Sequence, residues 1–249
     1  NTLKRVFLFG TFKARGIVIK EIFSGESDKT VTMLLKGHGK LSAHSRGARK
    51  PNSKYLAGTQ IFAYSDFVLF TKNNFYSITQ IDLIESFFNL RCGYDRLCAS
   101  NYAAEVAGAV VLYGMQADNI LFLLLKTLQS LNNCQTDIKL ILSAFNIKLI
   151  QLLGYAPDLS CCTNCGGPVS GSYLMASEGL LCSNCRALPH IEISTACFNT
   201  INYILSAGIK SIFNFGLAPG YISEVFNLSE IFIKSHIDVN IMSRKLFAF

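Results

Sequence analysis

The 249-residue sequence has no apolar run of membrane-spanning length; "ILFLLL", Ile120 to Leu125, is among the longest, against the roughly 18 to 20 residues a spanning helix needs. No membrane-crossing helix and no membrane partner are expected. No secretory leader is expected either, because "VFLF" follows Lys4 and Arg5 but Gly10 and Lys13 break the patch short of a leader's apolar core. Nor is there a disulfide framework: nine cysteines is an odd number, and Cys92, Cys98, Cys134 and Cys197 stand isolated. Those four read as small core hydrophobes, and a cytoplasmic protein is expected.

Catalytic signatures are equally scarce. "GHGKLS", Gly37 to Ser42, lacks the earlier glycine and the hydroxyl directly after lysine that a phosphate-binding loop requires. No G-x-S-x-G elbow or H-E-x-x-H helix occurs, the four histidines are scattered, and no carboxylate cluster would hold magnesium. The expectation is a protein that is not an enzyme.

Acidic residues are few where it matters. Residues 1–80 carry 13 Lys and Arg against 4 Asp and Glu, a net of +9, while residues 81–249 carry 10 against 12, a net of −2. A charge needed only for solubility could be spread anywhere, so this concentration points to a surface facing a polyanion, nucleic acid by default. A solvated basic face is the plain alternative.

What is present divides at about residue 84. Five segments rich in β-branched and aromatic residues read as strands: Ala14 to Phe23, Lys29 to Lys36, Lys40 to Arg46, Gln60 to Phe70 and Phe75 to Ile84, separated by "SGESD", "GHG", "ARKPNS" and "KNN". They suggest a small antiparallel barrel of the OB type or an open sheet covered by helices. Helical spacing follows over Tyr94–Gly114, Ala117–Asn132 and Thr136–Gly154, where Ile138, Ile141, Leu142, Phe145, Leu149 and Leu152 fall near one face. Later helices open at Ser194 or Thr195 and run through "SEVFNLSEIFIKSHI". The expected fold class is α+β: a five-stranded OB-fold domain at 1–84, then an all-α domain at 85–249 with a zinc-ribbon-like insert at about 158–188. No internal repeat or low-complexity linker is visible.

In the insert, Cys162 and Cys165 form one C-x2-C, Cys182 and Cys185 a second, with sixteen residues between the pairs. Two intervening residues let a tight turn aim both thiolates at one ion, and Gly166 and Gly167 supply backbone freedom. Four thiolates close a tetrahedron and leave no position for water or substrate, so a single structural Zn2+ is expected. Cys161 could replace Cys162 as the first ligand. A redox C-x-x-C would sit beside a βαβ unit, and a zinc deaminase would place "HIE", His190 to Glu192, before the cysteines; neither pattern fits.

The densest basic stretch is "GKLSAHSRGARKPNSKY", Gly39 to Tyr55. Lys40, Ser42, His44 and Arg46 share one strand face, and Arg49, Lys50 and Lys54 continue as a loop. Such a track neutralises phosphates, while Tyr55, Tyr64 or Phe62 could stack on bases, although a small barrel also needs aromatics inside. Five cations on single-stranded DNA would give a log-log salt slope of roughly −3.5.

Taken in order, the β module, Gly39-Lys40 running on to "RGAR", the helical block, and "LLGYAPDLSCCTNCGG" leading to "GLLCSNC" resemble the RecO family of bacterial recombination mediators. The match runs from about Ala14 to the C-terminus; the first dozen residues, "NTLKRVFLFGTF", depart from it by preceding the family's usual first strand, with Lys4, Arg5 and Lys13 extending the basic surface. The resemblance implies an OB-fold, a helical core and a zinc element that supports the fold but not the activity. It also implies binding of single- and double-stranded DNA, strand annealing, and action with RecR to help RecA displace single-strand-binding protein, in a nucleoid-associated setting. Carried over by position, Lys40, Arg46, Arg49, Lys50 and Lys54 would contact DNA, and Cys162, Cys165, Cys182 and Cys185 would hold the metal. Two other classes stay open: a protein-binding scaffold with a helical pocket for a partner's tail, and an RNA-binding OB and zinc-ribbon protein.

Overall fold

The computed structural model describes residues 9–133, 135–169, 173–237 and 241–246. Lys4, Arg5 and Cys134 lie outside them. The chain divides into two compact units, one drawn from Asn1–Asn132 and Ile241–Phe249, the other from Asn133–Asn240.

The first unit holds strands β1 (Phe9–Ser24), β2 (Asp28–Leu35), β3 (Gly39–Ser45), β4 (Tyr64–Lys72) and β5 (Phe75–Glu85). They close into a barrel in the order β1-β2-β3-β5-β4, the five-stranded Greek-key barrel of an OB-fold, which excludes the open sheet. Closure depends on the length of β1. Its first half pairs with β4, from Phe9 opposite Lys72 to Ile17 opposite Tyr64, and its second half with β2, from Gly16 opposite Leu35 to Ser24 opposite Asp28. Alternate residues point inward: Val31, Met33 and Leu35 from β2, Leu41 and Ala43 from β3, Phe67 and Leu69 from β4, and Ile78 from β5 form the barrel core.

Two strand expectations are corrected. Phe9–Lys13 belong to β1, so the first strand starts five residues before Ala14. Residues 60–63 are turns, not strand: Phe62 takes a φ of 68° and is fully buried, its amide donating to the Val18 carbonyl at 2.8 Å. Asn73 and Asn74, with φ of 52° and 62°, form the two-residue loop between β4 and β5, a conformation Asn tolerates better than most residues.

The same unit contains α1 (Tyr94–Val110) and α2 (Asp118–Asn133). Its small residues let α1 pack deeply, with Ala99, Ala103, Ala104 and Ala107 at most 1% exposed. It ends four residues short of Gly114 because Tyr113 bridges to Lys40 of β3 and the Gly114 amide approaches the Lys40 carbonyl. Tertiary pairing overrides helical spacing there. The Met242–Leu246 3-10 turn is tied to this unit by Glu105, whose carboxylate accepts the Met242 amide at 2.7 Å and the Ser243 amide at 2.9 Å. Burial raises the Glu105 carboxyl, but these donors and the Ser243 hydroxyl outweigh it and hold it below the usual range.

The second unit is built on α3 (Ile138–Leu152), whose start is capped by Asp137 accepting the Lys139 amide at 2.8 Å. The one-face pattern expected for it understates its burial: every residue from Leu140 to Ile150 is buried, as for a helix enclosed on all sides. Asn146 within it donates to Ser229 and Glu230. Strands β6 (Tyr173–Ala176), β7 (Gly179–Leu181) and β8 (Ile191–Ile193) form a small sheet in the order β7-β6-β8. Helices α4 (Thr195–Ser206) and α5 (Pro219–His236) follow and pack on α3. Ser194 is the N-cap of α4, accepting the Cys197 amide at 3.1 Å. Pro219 at the first turn starts α5 four residues before Ser223. Among the described residues no helix is long and apolar enough to cross a membrane. Cys98 and Cys197 are buried as expected of core thiols, but Cys92 is exposed, with its sulfur 3.9 Å from the Phe88 carbonyl.

Candidate nucleic-acid surface and metal centre

The loop after β3 owes its shape to Asp28 at the start of β2. One Asp28 carboxylate oxygen accepts the Gly47 amide at 2.7 Å and the other lies 3.1 Å from His44 Nε2. The Gly47 amide, with help from Ser27 and His44, holds the Asp28 carboxyl below its usual range. Gly47 is left-handed, with φ of 67°, which favours glycine. Ala48 is fully buried, and the Arg49 amide donates to the Ser27 carbonyl at 2.9 Å. The "RGAR" pattern follows from this geometry: a glycine turns, a small residue plugs in, and the flanking Arg46 and Arg49 are left exposed. Lys50 and Lys54 are exposed in the turns that follow.

The other basic-track residues are partly committed within the barrel unit. Lys40 is half-buried; its Nζ donates to the Gly108 carbonyl at 2.6 Å and sits 4.9 Å from the Tyr113 ring centroid. Ser42 Oγ lies 2.9 Å from Thr32 Oγ1 and 3.2 Å from the Tyr113 hydroxyl. Tyr55 packs against the barrel core and donates its hydroxyl to the Thr79 carbonyl at 2.8 Å, with Lys54 Nζ 5.1 Å from its ring. Phe62, fully buried, offers no stacking face; Tyr64 is half-buried.

Sequence reasoning missed two exposed rings at this end of the barrel. Phe23, at the end of β1, is 61% exposed with the Arg49 guanidinium carbon 4.3 Å from its centroid. Phe75, at the start of β5, is 62% exposed with its ring centroid 6.2 Å from that of His44. The irregularity of β1 between Val18 and Lys20 shifts the strand's alternation, which hid Phe23 from a period-two reading.

In the second unit, Cys162, Cys165, Cys182 and Cys185 bring their sulfurs within 4.8 Å of one another. The sulfurs of Cys165 and Cys182 are 3.6 Å apart, close to the roughly 3.8 Å expected of two thiolates each about 2.3 Å from a tetrahedral zinc. The amides of Cys182, Cys165 and Asn164 directed at its sulfur hold Cys162 down at about 6 against the effect of burial. The Gly167 amide lowers Cys165, but the neighbouring sulfurs of Cys162, Cys182 and Cys185, together with burial, outweigh it and push that thiol up to about 12. The four sulfurs thus surround a space that fits one cation, and Asn164 Nδ2 adds a donor to Cys185 Sγ at 3.2 Å. A metal held there would be fully ligated by protein and would serve the fold. Cys161 turns away, its sulfur 3.8 Å from Asp158, and His190 is not in the cluster.

The knuckles are clamped by the β6–β7 hairpin. Asp158 and Leu180 exchange backbone bonds with residues across the turn, Asp158 N to Glu178 O at 2.9 Å and Leu180 N to Asp158 O at 3.0 Å. The approach is so close at Gly179 that an added Cβ would collide with the Asp158 backbone. Leu174 and Leu181 pack on Cys162 and Cys182 to make a miniature core.

Two family models match: Recombination protein O N terminal over residues 9–87, and Recombination protein O C terminal over residues 93–245. The first begins with β1, so residues 9–12 of "NTLKRVFLFGTF" fall inside the family pattern and do not precede it. The DNA repair protein RecO of Acetivibrio thermocellus is 34% identical over 232 residues, covering 92% of each chain. That of Alkaliphilus metalliredigens is 32% identical over 91% of this chain and 94% of its own. The Moorella thermoacetica protein of the same name is 29% identical over 94% of this chain and 90% of its own. With both halves matched and such relatives aligned nearly end to end, the chain belongs to the RecO family of DNA repair proteins.

Proposed function

We propose that this protein binds single- and double-stranded DNA through the loop after β3, anneals complementary strands, and acts with RecR to help RecA load on DNA coated by single-strand-binding protein. The observation that carries the reading is the exposed set Arg46, Arg49, Lys50 and Lys54 on a loop pinned by Asp28. Lys40, donating to Gly108, takes a positioning role, and His44 and Tyr55 support the loop's two ends. Four exposed cations give a salt slope of about −2.8, shallower than the −3.5 of five; Arg49 stays in that count because its side chain is exposed, although one guanidinium nitrogen donates to the Gly25 carbonyl at 3.1 Å. The protein is read as non-enzymatic, in keeping with the mediator role proposed for it; Asp28 holds the loop. The four cysteines would hold one structural Zn2+ per chain. Residues 1–84 are taken as the DNA-binding module and 85–249 as the helical module that carries this metal, with α1 and α2 sharing the compact unit of the barrel. Such a protein would work in the cytoplasm, at the nucleoid.

Annealing of complementary strands precoated with single-strand-binding protein tests this reading. The purified protein with RecR should accelerate duplex formation severalfold over the coated strands alone, and excess RNA should compete poorly. A preference for RNA would favour the RNA-binding alternative, and no acceleration at all would favour a protein-binding scaffold.

A further inference from the structure

We propose that Phe23 and Phe75 are base-stacking platforms that receive unpaired bases of a strand whose phosphates follow the Arg46–Lys54 loop, so that this surface prefers single strands to duplex. The inference rests on the DNA-binding reading above and extends it from phosphates to bases.

Strand register places the rings around the loop. Phe23 of β1 pairs with Lys29 of β2, and Lys29 with Ser45 of β3. His44 of β3 is set beside β5 through its parallel partner Ser77, two residues after Phe75. The rings therefore lie on the β1 and β5 sides of the β2–β3 pair, three strand spacings apart, on the order of 14 Å measured along the sheet. That separation suits two different bases. Between them β3 leads into Arg46 and Arg49.

Each ring has a planar side chain beside it. Phe23 carries the Arg49 guanidinium at 4.3 Å, with Lys29 Nζ at 5.7 Å from the same centroid. Phe75 faces the His44 imidazole at an interplanar angle of 40°. His44 is set by Asp28, the carboxylate that also fixes Gly47, so one residue orders a ring partner and the phosphate loop together. Exposed phenylalanine gains nothing by facing water, whereas planar aromatic and guanidinium faces beside cations suit an anionic polymer that offers π-faces. The bases of a duplex are stacked internally and cannot reach such platforms, so the rings act on single strands alone.

The test is equilibrium binding of the full chain to three labelled probes of equal length: an oligothymidine strand, a duplex, and a strand of abasic sites. Phe23→Ala and Phe75→Ala should each weaken binding to oligothymidine about five- to tenfold, a conservative share of the stacking effect of one base. Binding to duplex and abasic strand should change less than about twofold, and the salt slope should stay as in the parent. Phe→Trp at either position should restore affinity and Phe→Leu should not. Equal losses on all three probes, rescue by leucine, or no loss on oligothymidine would each overturn the platforms. Arg46→Ala/Arg49→Ala/Lys50→Ala in the same assay separates the two levels: it should weaken all three probes, and if it does not, the phosphate surface itself is wrong, whatever the rings do.

Discussion

Replacing Arg46, Arg49 and Lys50 together with alanine is expected to weaken single-stranded DNA binding about 50-fold at 0.15 M salt. Each phosphate contact contributes about 0.7 to the log-log slope, hence roughly 0.6 log units of affinity at that salt, and three contacts sum to about 1.7 log units. The slope should flatten from about −2.8 to about −0.7, leaving mainly Lys54. All three side chains are exposed; Arg49→Ala gives up one bond to the Gly25 carbonyl, while the Gly47 amide on Asp28 and the buried Ala48 keep the loop's shape. The fold should survive, because exposed substitutions of this kind usually stay within about 0.5 kcal/mol. Affinity titrations from about 0.05 to 0.3 M salt measure both effects. An unchanged slope would remove these residues from the phosphate surface.

Cys165→Ser should release the metal and unfold the ribbon. Binding free energy at structural zinc sites of this type is on the order of 10 to 16 kcal/mol, and it is available only to the folded segment. The element's own apolar contribution is small, with Leu174 and Leu181 packed on two of the ligands. Metal content measured on the purified chain should fall from about one equivalent to near zero, and amide protection at Leu174, Leu180 and Leu181 should be lost. The barrel has its own closed core, so DNA affinity should hold within a fewfold. A variant that kept its metal and its protection would contradict the four-thiolate site.

The barrel strands were readable because their turns are chemically explicit. "KNN" supplies two left-handed asparagines, and β3 alternates cleanly between core and surface. Closure was not readable, since it depends on β1 pairing with β4 and β2 along different halves, and a linear pattern carries no partner. The end of α1 failed for the same reason: Tyr113 is taken by Lys40, 73 positions away in the chain. Strands β6 and β7 are four and three residues long, too short for a periodic signal. Within the site, ligand spacing is local and was legible, as was the density of cations. Which cations are held within the fold was not: Lys40 looks like Lys50 in sequence, and only the fold turns its ammonium onto Gly108. The exposed rings escaped because exposure is a tertiary property, and aromatic residues in a small barrel are expected inside.

On the proposed reading, DNA binds at the end of the barrel where the β1–β2 turn, the loop after β3 and the β4–β5 hairpin meet. Hydrogen exchange with and without a saturating oligothymidine strand tests it most directly. Slowed exchange is expected at residues 23–28, 44–54 and 72–75. Protection confined to residues 138–237, with none in those three segments, would contradict it.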